Sequence, residues 1–551
     1  MKIAIAQINF TVGDFEQNQA TILQKTREAH EQGAELVVFS ELAICGYPPL
    51  DLLERKDFVE RCILAIEEIA RQAPKDVGVI VGGPEFNRNN EGKLLYNTAY
   101  FLHNGKVEQV FRKALLPTYD IFDEYRYFEP SYTFETLDFN GVKLAVTICE
   151  DLWDDQPAEN PFSRSRLYTI HPMEILMEQN PRAIINIAAS PFSHSRQEVK
   201  RNIFTDKARK HHIPVFMANQ VGGNTELLFE GGSLAVSGNG SIFSQMKLFK
   251  EDFELFDLEQ VSLFSSIANE PVPDRIGMIH DGLIMGIRDY FSKLGFRKAT
   301  LGLSGGIDSA VVAVLAARAL GPKNLHFLLM PSQYSSDHSV LDAELLAQNL
   351  EVSYSIVPIR NIFDEFRSAL TPIFGDRPED VTEENIQSRI RGTLLMALSN
   401  KMGHILLNTS NKSETAVGYG TLYGDMAGGL SVMGDVYKTD VYALARFMNR
   451  QKEIIPGNVI TKPPSAELRP DQKDSDSLPD YELLDQVLNR YIEKQLPPEE
   501  IISAEFDESM VRKIIHLVNA NEYKRYQTPP ILRISSKAFG GGRRIPLAAK
   551  H

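Results

Sequence analysis

The chain has 551 residues, 43% of them hydrophobic and 24% charged, ordinary proportions for a folded globular protein. That length exceeds what one hydrophobic core organises and implies roughly two to four domains. The formal net charge of −15 weighs against a nucleic-acid partner, which requires a basic face, but leaves room for local cations that hold anionic small molecules. The three cysteines, Cys45, Cys62 and Cys149, are too few for a disulfide framework and lack metal-ligand spacing. The opening MKIAIAQINFTVGDF does not read as a signal peptide, and no apolar run is long enough to span a bilayer. The expectation is a cytoplasmic protein with no membrane partner.

In the first half, KIAIAQINF, ELVVFSEL and VGVIVGGPEF read as strands, with helical patterns over 17–32 and 58–72. Residues 98–111 read as a hairpin-like pair. VKLAVTICED, AIINIAAS, PVFMANQVG and GSLAVSGNGSIFS continue the strands, with a further helix over 197–211. Alternating strands and helices indicate an α/β layered fold. SIANEPVPDRIG breaks the pattern with two prolines. It divides the chain into a first domain over 1–265, a linker over 266–279 and a second domain over 280–551. The second half opens with a helix over 280–294, then a strand and Gly-rich turn in KATLGLSGGIDS, then the helix SAVVAVLAARAL. LHFLLMPS, VSYSIVPI and GHILLNTS add strands separated by helical sequence, a parallel, doubly wound pattern. The polar, proline-containing stretch over 461–480 reads as a mobile loop, and no internal repeat is visible.

Three strand ends in the first half carry reactive side chains: Glu41 closes ELVVFSE, Lys113 ends KVEQVFRK, and Cys149 follows VKLAVTI. Strand ends on one edge of a sheet converge, so residues distant in sequence can share a pocket. A thiol attacking an amide needs a base for its proton and a cation or donor for the oxyanion. Carboxylate and ammonium meet those needs, and a nearby lysine favours the thiolate. Singly, each residue reads as core or as a cap. The segments FSELAICGYPP, RKALLPTYDIFDEYRYFEP and TICEDLW together resemble the nitrilase, or carbon–nitrogen hydrolase, superfamily, in the expected order across most of 1–260. The resemblance implies an α-β-β-α sandwich with Glu41 as general base, Lys113 as transition-state stabiliser and Cys149 as nucleophile. It also implies a second, supporting glutamate at Glu124. Similarity to the glutaminase members implies that Tyr119, Ser190 and Arg196 bind glutamine, the arginine suiting a carboxylate by bidentate pairing. Without the resemblance, Ser190 merely turns the chain and Arg196 is a surface cation.

LGLSGGIDS places small residues between an apolar strand and a helix, so the backbone can approach an anion at the helix N-terminus. It lacks the Gly-Lys-Ser/Thr of a Walker A motif. Ser-Gly-Gly-x-Asp-Ser resembles the pyrophosphate loop of synthetases that split ATP into AMP and pyrophosphate. GMP synthetases, asparagine synthetases and tRNA-modifying enzymes share such a loop. The resemblance implies ATP as substrate at Gly302, Leu303, Ser304, Gly305, Gly306, Ile307, Asp308 and Ser309. It also implies Mg2+ as cofactor, with Asp308 as a ligand. By itself Asp308 is a helix-end carboxylate complementing the dipole.

Farther on, ENIQSRIRGTLLMALSN, LLNTSNKSETAVGYGTLYGDMAGGLSVMGDVYKTDV and EYKRYQTPPILRISSKAFGGGRRIP resemble the NAD synthetase family, so that the likeness covers most of 280–545. This implies that Thr409 and Lys438 contact ATP and that Glu414 binds magnesium or deamido-NAD. Asn385 and Arg389 would lie against the dinucleotide, with Tyr419, Gly420, Thr421, Leu422 and Lys524 lining the same site. The shorter, ammonia-dependent members carry a lysine near Leu422 and Thr-Asp-His where this chain has Thr409-Ser410-Asn411. The glutamine-dependent members share both departures. Together the two resemblances imply NAD synthesis from deamido-NAD, in which glutamine hydrolysed at Cys149 supplies ammonia to an ATP-adenylated carboxylate. They imply a homo-oligomer, at least a dimer. The alternative is a nitrilase-type amidase whose adenylating domain is inactive or differently specific.

Overall fold

The computed structural model describes residues 1–155, 167–266, 274–470, 472–503 and 506–549. The chain divides into two compact units, Met1–Val272 and Pro273–His551.

The first unit is built on two six-stranded sheets. One runs, in spatial order, Asp252–Asp257, Lys2–Gln7, Leu36–Val38, Gly78–Phe86, Leu95–His103 and Lys106–Arg112. The other runs Leu137–Phe139, Val142–Ile148, Ala183–Ala188, Val215–Asn219, Leu234–Val236 and Ile242–Gln245. Both follow one succession of pairings: antiparallel, parallel, parallel, antiparallel, antiparallel. The repeat is one of topology, with no repeated sequence behind it.

Side-chain alternation sets the layers. Ile3, Ile5, Leu36, Val38 and Ile80 point inward to a core shared with Leu144, Val146 and Ile185 of the second sheet. Ala4, Ala6, Val37, Val79 and Val81 point outward against Ile22 of helix Phe15–Glu31 and Phe58 and Ile66 of helix Lys56–Gln72. Helix Gln197–His211 lies against the second sheet through Phe204 and Ala208. Strands covered on both faces read as continuous apolar runs, which is why both residue sets are hydrophobic. Each Ile or Val so buried contributes about 1.5–3 kcal/mol. These layers make the α-β-β-α sandwich.

Two strand readings change in the structure. Residues 232–244 fold as two antiparallel strands, Leu234–Val236 and Ile242–Gln245, divided by a turn in which Gly240 takes φ +85°. The edge strands Leu137–Phe139 and Asp252–Asp257 carry no usable sequence signal, one being only three residues long and the other charged at both ends.

The second unit holds a parallel five-stranded sheet in the order Ser353–Ile356, Leu325–Leu329, Ala299–Gly302, Ile405–Asn408, Leu430–Ser431. The strand first in sequence sits in the middle, so the chain winds outward on one side and then the other. The crevice at the carboxyl end of that strand is where such sheets bind ligands. The helix expected over 280–294 spans Arg275–Lys293, because the Asp274 carboxylate accepts from Ile276 N and starts it earlier. Residues 267–273 of the expected linker lie outside the described residues.

Candidate active sites

In the first unit the carboxyl ends of the strands bring Glu41, Lys113 and Cys149 into one buried cluster. Lys113 is completely enclosed. Its ammonium donates to Glu41 Oε1 at 2.8 Å and to Glu124 Oε2 at 2.7 Å. Glu41 also accepts from Asn97 Nδ2 at 2.7 Å and from the Ala189 N–H at 3.2 Å. Tyr47 OH donates to Glu124 Oε1 at 3.0 Å. Burial opposes the charge of Lys113, but Glu124 and Glu41 outweigh it and hold the ammonium well above the ordinary lysine value. Burial likewise pushes Glu124 up to about 7, against the pull of Lys113.

Cys149 begins a short 3₁₀ turn, Cys149–Trp153, directly after strand Val142–Ile148, and takes φ +44°. Burial and then the charge of Glu41 push its thiol well above the ordinary cysteine value, and Lys113 only partly counters them. Burial, with Glu41, thus outweighs the lysine at this sulfur. A proton must be removed as the sulfur attacks, and Glu41 is the carboxylate at hand. The Lys113 ammonium, fixed before reaction, suits a developing oxyanion.

The residues expected to bind glutamine stand around this cluster. Tyr119 OH donates to Glu150 Oε1 at 2.8 Å, and Tyr168 OH reaches the same oxygen at 2.8 Å. Burial and then Glu150 push the Tyr119 phenol well above its ordinary value, and the charge of Arg196 partly opposes them. Ser190 lines a cavity of about 20 Å³ together with Cys149, Asn186 and Glu230, and its N–H donates to Asn219 Oδ1 at 2.9 Å. That cavity has room for one water.

In the second unit a cavity of about 310 Å³ opens at the carboxyl ends of the parallel strands, a size suited to a bound small molecule. Gly302, Leu303, Ser304, Gly306, Ile307, Asp308 and Ser309 form one wall, and Thr409, Glu414, Tyr419 and Lys438 another. Gly305 takes φ +76° and lets the turn pass Ser339. The Ser304 and Ser309 hydroxyls lie 3.0 Å apart, and the Gly306 N–H donates to Ser304 Oγ at 3.1 Å. The helix Ile307–Leu320 that follows has no side-chain cap, and its first residues, Ile307, Asp308 and Ser309, line the cavity.

Lys438 Nζ joins two carboxylates, Asp308 Oδ2 at 2.5 Å and Glu414 Oε1 at 3.2 Å. Asn411 Nδ2 donates to Asp308 Oδ1 at 2.9 Å. Burial pushes Glu414 up to about 8, although Lys438 pulls it down. Burial opposes the Lys438 charge, but Asp308 and Glu414 raise it above the ordinary lysine value. Asn385 Oδ1 accepts from Thr421 OH at 2.8 Å, and Arg389 Nε donates to the Leu422 carbonyl at 3.2 Å. Lys524 Nζ donates to the carbonyls of Gly418 and Gly420 at 2.7 and 2.9 Å. The residues assigned to the dinucleotide thus meet around the 418–422 turn, beside the cavity that Tyr419 and Glu414 enter.

Several site residues escape the sequence. Asp151 accepts three backbone N–H groups at the Cys149 turn, those of Ile148, Ala114 and Leu115. Burial pushes its carboxyl up to about 7 despite them. Glu150, buried between the two tyrosines, is raised by burial as well. The only signal for either is the acidic pair after Cys149. Arg391 lines the larger cavity and donates from Nε to the Met330 carbonyl at 3.1 Å, and burial lowers it to about 10. Its spacing from Arg389 on one helix was the available hint. The 461–480 stretch is more than a solvated connection. Residues 462–468 and Asp474 line the cavity, Glu467 Oε1 accepts from Ser339 OH at 2.7 Å, and the Leu468 carbonyl accepts from Gln387 Nε2 at 2.9 Å.

Residues 2–262 match the carbon–nitrogen hydrolase family and residues 279–528 the NAD synthase family. The chain is 45% identical to a glutamine-dependent NAD(+) synthetase of Synechocystis sp., over 99% of this chain and 98% of that one. It is 40% identical to one of Thermotoga maritima, with the same two coverages. A structure of glutamine-dependent NAD+ synthetase from Acinetobacter baumannii in complex with ADP is similar at TM-score 0.78 and 37% identity, covering 99% of this chain and 98% of that one. With both family segments in order and near-complete coverage of such relatives, the chain belongs to the glutamine-dependent NAD(+) synthetase family.

Proposed function

We propose that the chain makes NAD from deamido-NAD, taking nitrogen from glutamine in its first unit and driving the step with ATP in its second. Cys149 Sγ attacks the glutamine side-chain carbonyl as Glu41 takes the thiol proton. Lys113 stabilises the oxyanion, and the proton passes to the leaving nitrogen. Ammonia departs, and water, giving its proton to Glu41, hydrolyses the glutamyl thioester to free glutamate and the thiol. Tyr119, Ser190 and Arg196 hold the amino acid, and Glu124 keeps Lys113 in place.

In the second unit the Ser304–Ser309 turn and Lys438 hold the phosphates of ATP, with Thr409 beside them. The nicotinate carboxylate of deamido-NAD attacks the α-phosphorus, pyrophosphate leaves, and ammonia displaces AMP from the resulting adenylate. Asn385, Arg389, Glu414, Lys524 and the turn over Tyr419–Leu422 bind the dinucleotide. Among the described residues no group of three or more ligating side chains forms a metal cage. Two carboxylates on one lysine beside a phosphate turn suit Mg2+, which takes one or two carboxylates plus substrate phosphates. Asp308 and Glu414 would hold the ion, which supplies charge neutralisation at the phosphates. The chain works as a homo-oligomer, at least a dimer, in the cytoplasm. Among the described residues no helix is long and apolar enough to cross a membrane.

The observation that carries the reading is the buried Lys113 ammonium, fixed by Glu41 and Glu124 and acting electrostatically on the Cys149 thiol, on a chain that also holds the Gly-rich turn. It is tested by NAD formation from ATP, magnesium and deamido-NAD, with glutamine or ammonium as nitrogen source. Wild type should use both, and Cys149→Ala only ammonium. If wild type hydrolyses glutamine but forms no NAD from either source, the synthetase half of the reading is wrong.

A further inference from the structure

We propose that Asp151 is a positioning residue for glutamine hydrolysis, setting the register between the turn that carries Cys149 and the segment that carries Lys113. The inference rests on the roles given above to those two residues. Asp151 lies two positions after the nucleophile and is buried. One carboxylate oxygen accepts from the Ala114 and Leu115 N–H groups at 3.0 and 2.9 Å. The other accepts from the Ile148 N–H at 3.2 Å, on the residue before Cys149. One side chain therefore grips the backbone immediately before the nucleophile and immediately after the lysine.

The lysine segment needs such a grip. Lys113 leaves its strand with its N–H on the Asn97 carbonyl at 2.8 Å and its own carbonyl accepting from the Ser131 N–H at 3.0 Å. The next two N–H groups point away from any strand and find Asp151 instead. The nucleophile needs one too. Cys149 sits at a positive φ that a side chain rarely adopts, a conformation that persists only where the surroundings over-determine it. A buried carboxylate could cap the Cys149 turn with the Ile148 bond alone. The two bonds to Ala114 and Leu115, more than thirty residues away in sequence, serve no cap and fix one half of the site to the other.

The test compares Asp151→Asn with wild type. The amide keeps the size but offers one oxygen, so it cannot serve both the 114–115 pair and Ile148. Three quantities are read on the full chain: kcat and KM for glutamine hydrolysis, the pH profile of Cys149 alkylation by iodoacetamide, and ammonium-supported NAD synthesis. The expected result is a kcat lower by about 100-fold, the scale of an ångström misplacement of reacting groups. Glutamine KM should be unchanged, the alkylation profile displaced along the pH axis, and ammonium-supported synthesis equal to wild type. An unchanged kcat, or an alkylation profile superimposed on wild type, would overturn the proposal. So would a parallel loss of ammonium-supported synthesis, which would make Asp151 a support of the fold alone. Glutamine hydrolysis that survives Cys149→Ala would instead overturn the reading beneath it.

Discussion

Gly305 offers a sharp test of the phosphate turn. Its φ of +76° is a conformation in which a side chain costs about 1–2 kcal/mol. A Cβ built there would lie 2.1 Å from the Ser339 carbonyl oxygen, a backbone atom of helix Asp337–Asn349 that no rotamer change can move aside. In Gly305→Ala the turn or the helix must therefore shift, taking Ser304 and Asp308 with it. A loss of only 1.4 kcal/mol in binding weakens ATP about tenfold, and ångström misplacement lowers turnover by about 100-fold. Gly306 is the control: its φ is −87°, and a Cβ there would meet first the Ser304 hydroxyl at 3.2 Å, the end of a side chain that can rotate. Calorimetric titration with ATP and ammonium-supported NAD synthesis should therefore show Gly305→Ala severely impaired and Gly306→Ala mildly so. Glutamine hydrolysis without ATP should be unchanged in both. Equal effects of the two substitutions, or wild-type ATP affinity in Gly305→Ala, would refute the argument from backbone geometry.

Two further outcomes follow from buried charge. Lys438→Met strands Asp308 and Glu414 without their shared cation, and breaking a buried pair costs about 3–5 kcal/mol. Denaturant unfolding of the full chain at pH 9, above the Glu414 value of about 8, should show that loss, and an unchanged midpoint would mean that the carboxylates find another partner or take up a proton. Glu124 gives a pH dependence. Its carboxyl is raised to about 7 in the folded chain by burial, so between the ordinary carboxylate value and about 7 the folded state holds a proton that the unfolded state has released. Stability should fall as pH rises through that window. Glu124→Gln should flatten this slope in thermal unfolding measured from pH 4.5 to 7.5, and a slope identical to wild type would show that Glu124 is not its source.

The apolar run KIAIAQINF announced a strand, and LGLSGGIDS announced a strand, a turn and a helix, because each is a local pattern of a few residues. The candidate residues Glu41, Lys113, Cys149 and Asp308 were visible as chemistry at the ends of such elements, and Glu414 and Lys438 only through the resemblance of their segments to a known family. What the sequence could not state was pairing. Lys113 is 72 residues from Glu41, and only the sheet order places both beside Glu124. Asp151 had no part in the sequence reading, because its partners Ala114 and Leu115 are brought to it only by the fold. The stretch over 461–480 read as a mobile loop because it is polar and rich in proline, yet Glu467 and Leu468 pin residues 462–468 along the larger cavity. Periodicity and propensity report which side of an element faces inward. Which distant residue meets it there is decided by packing, where a hydrogen bond is satisfied only by the neighbour that the tertiary fold supplies.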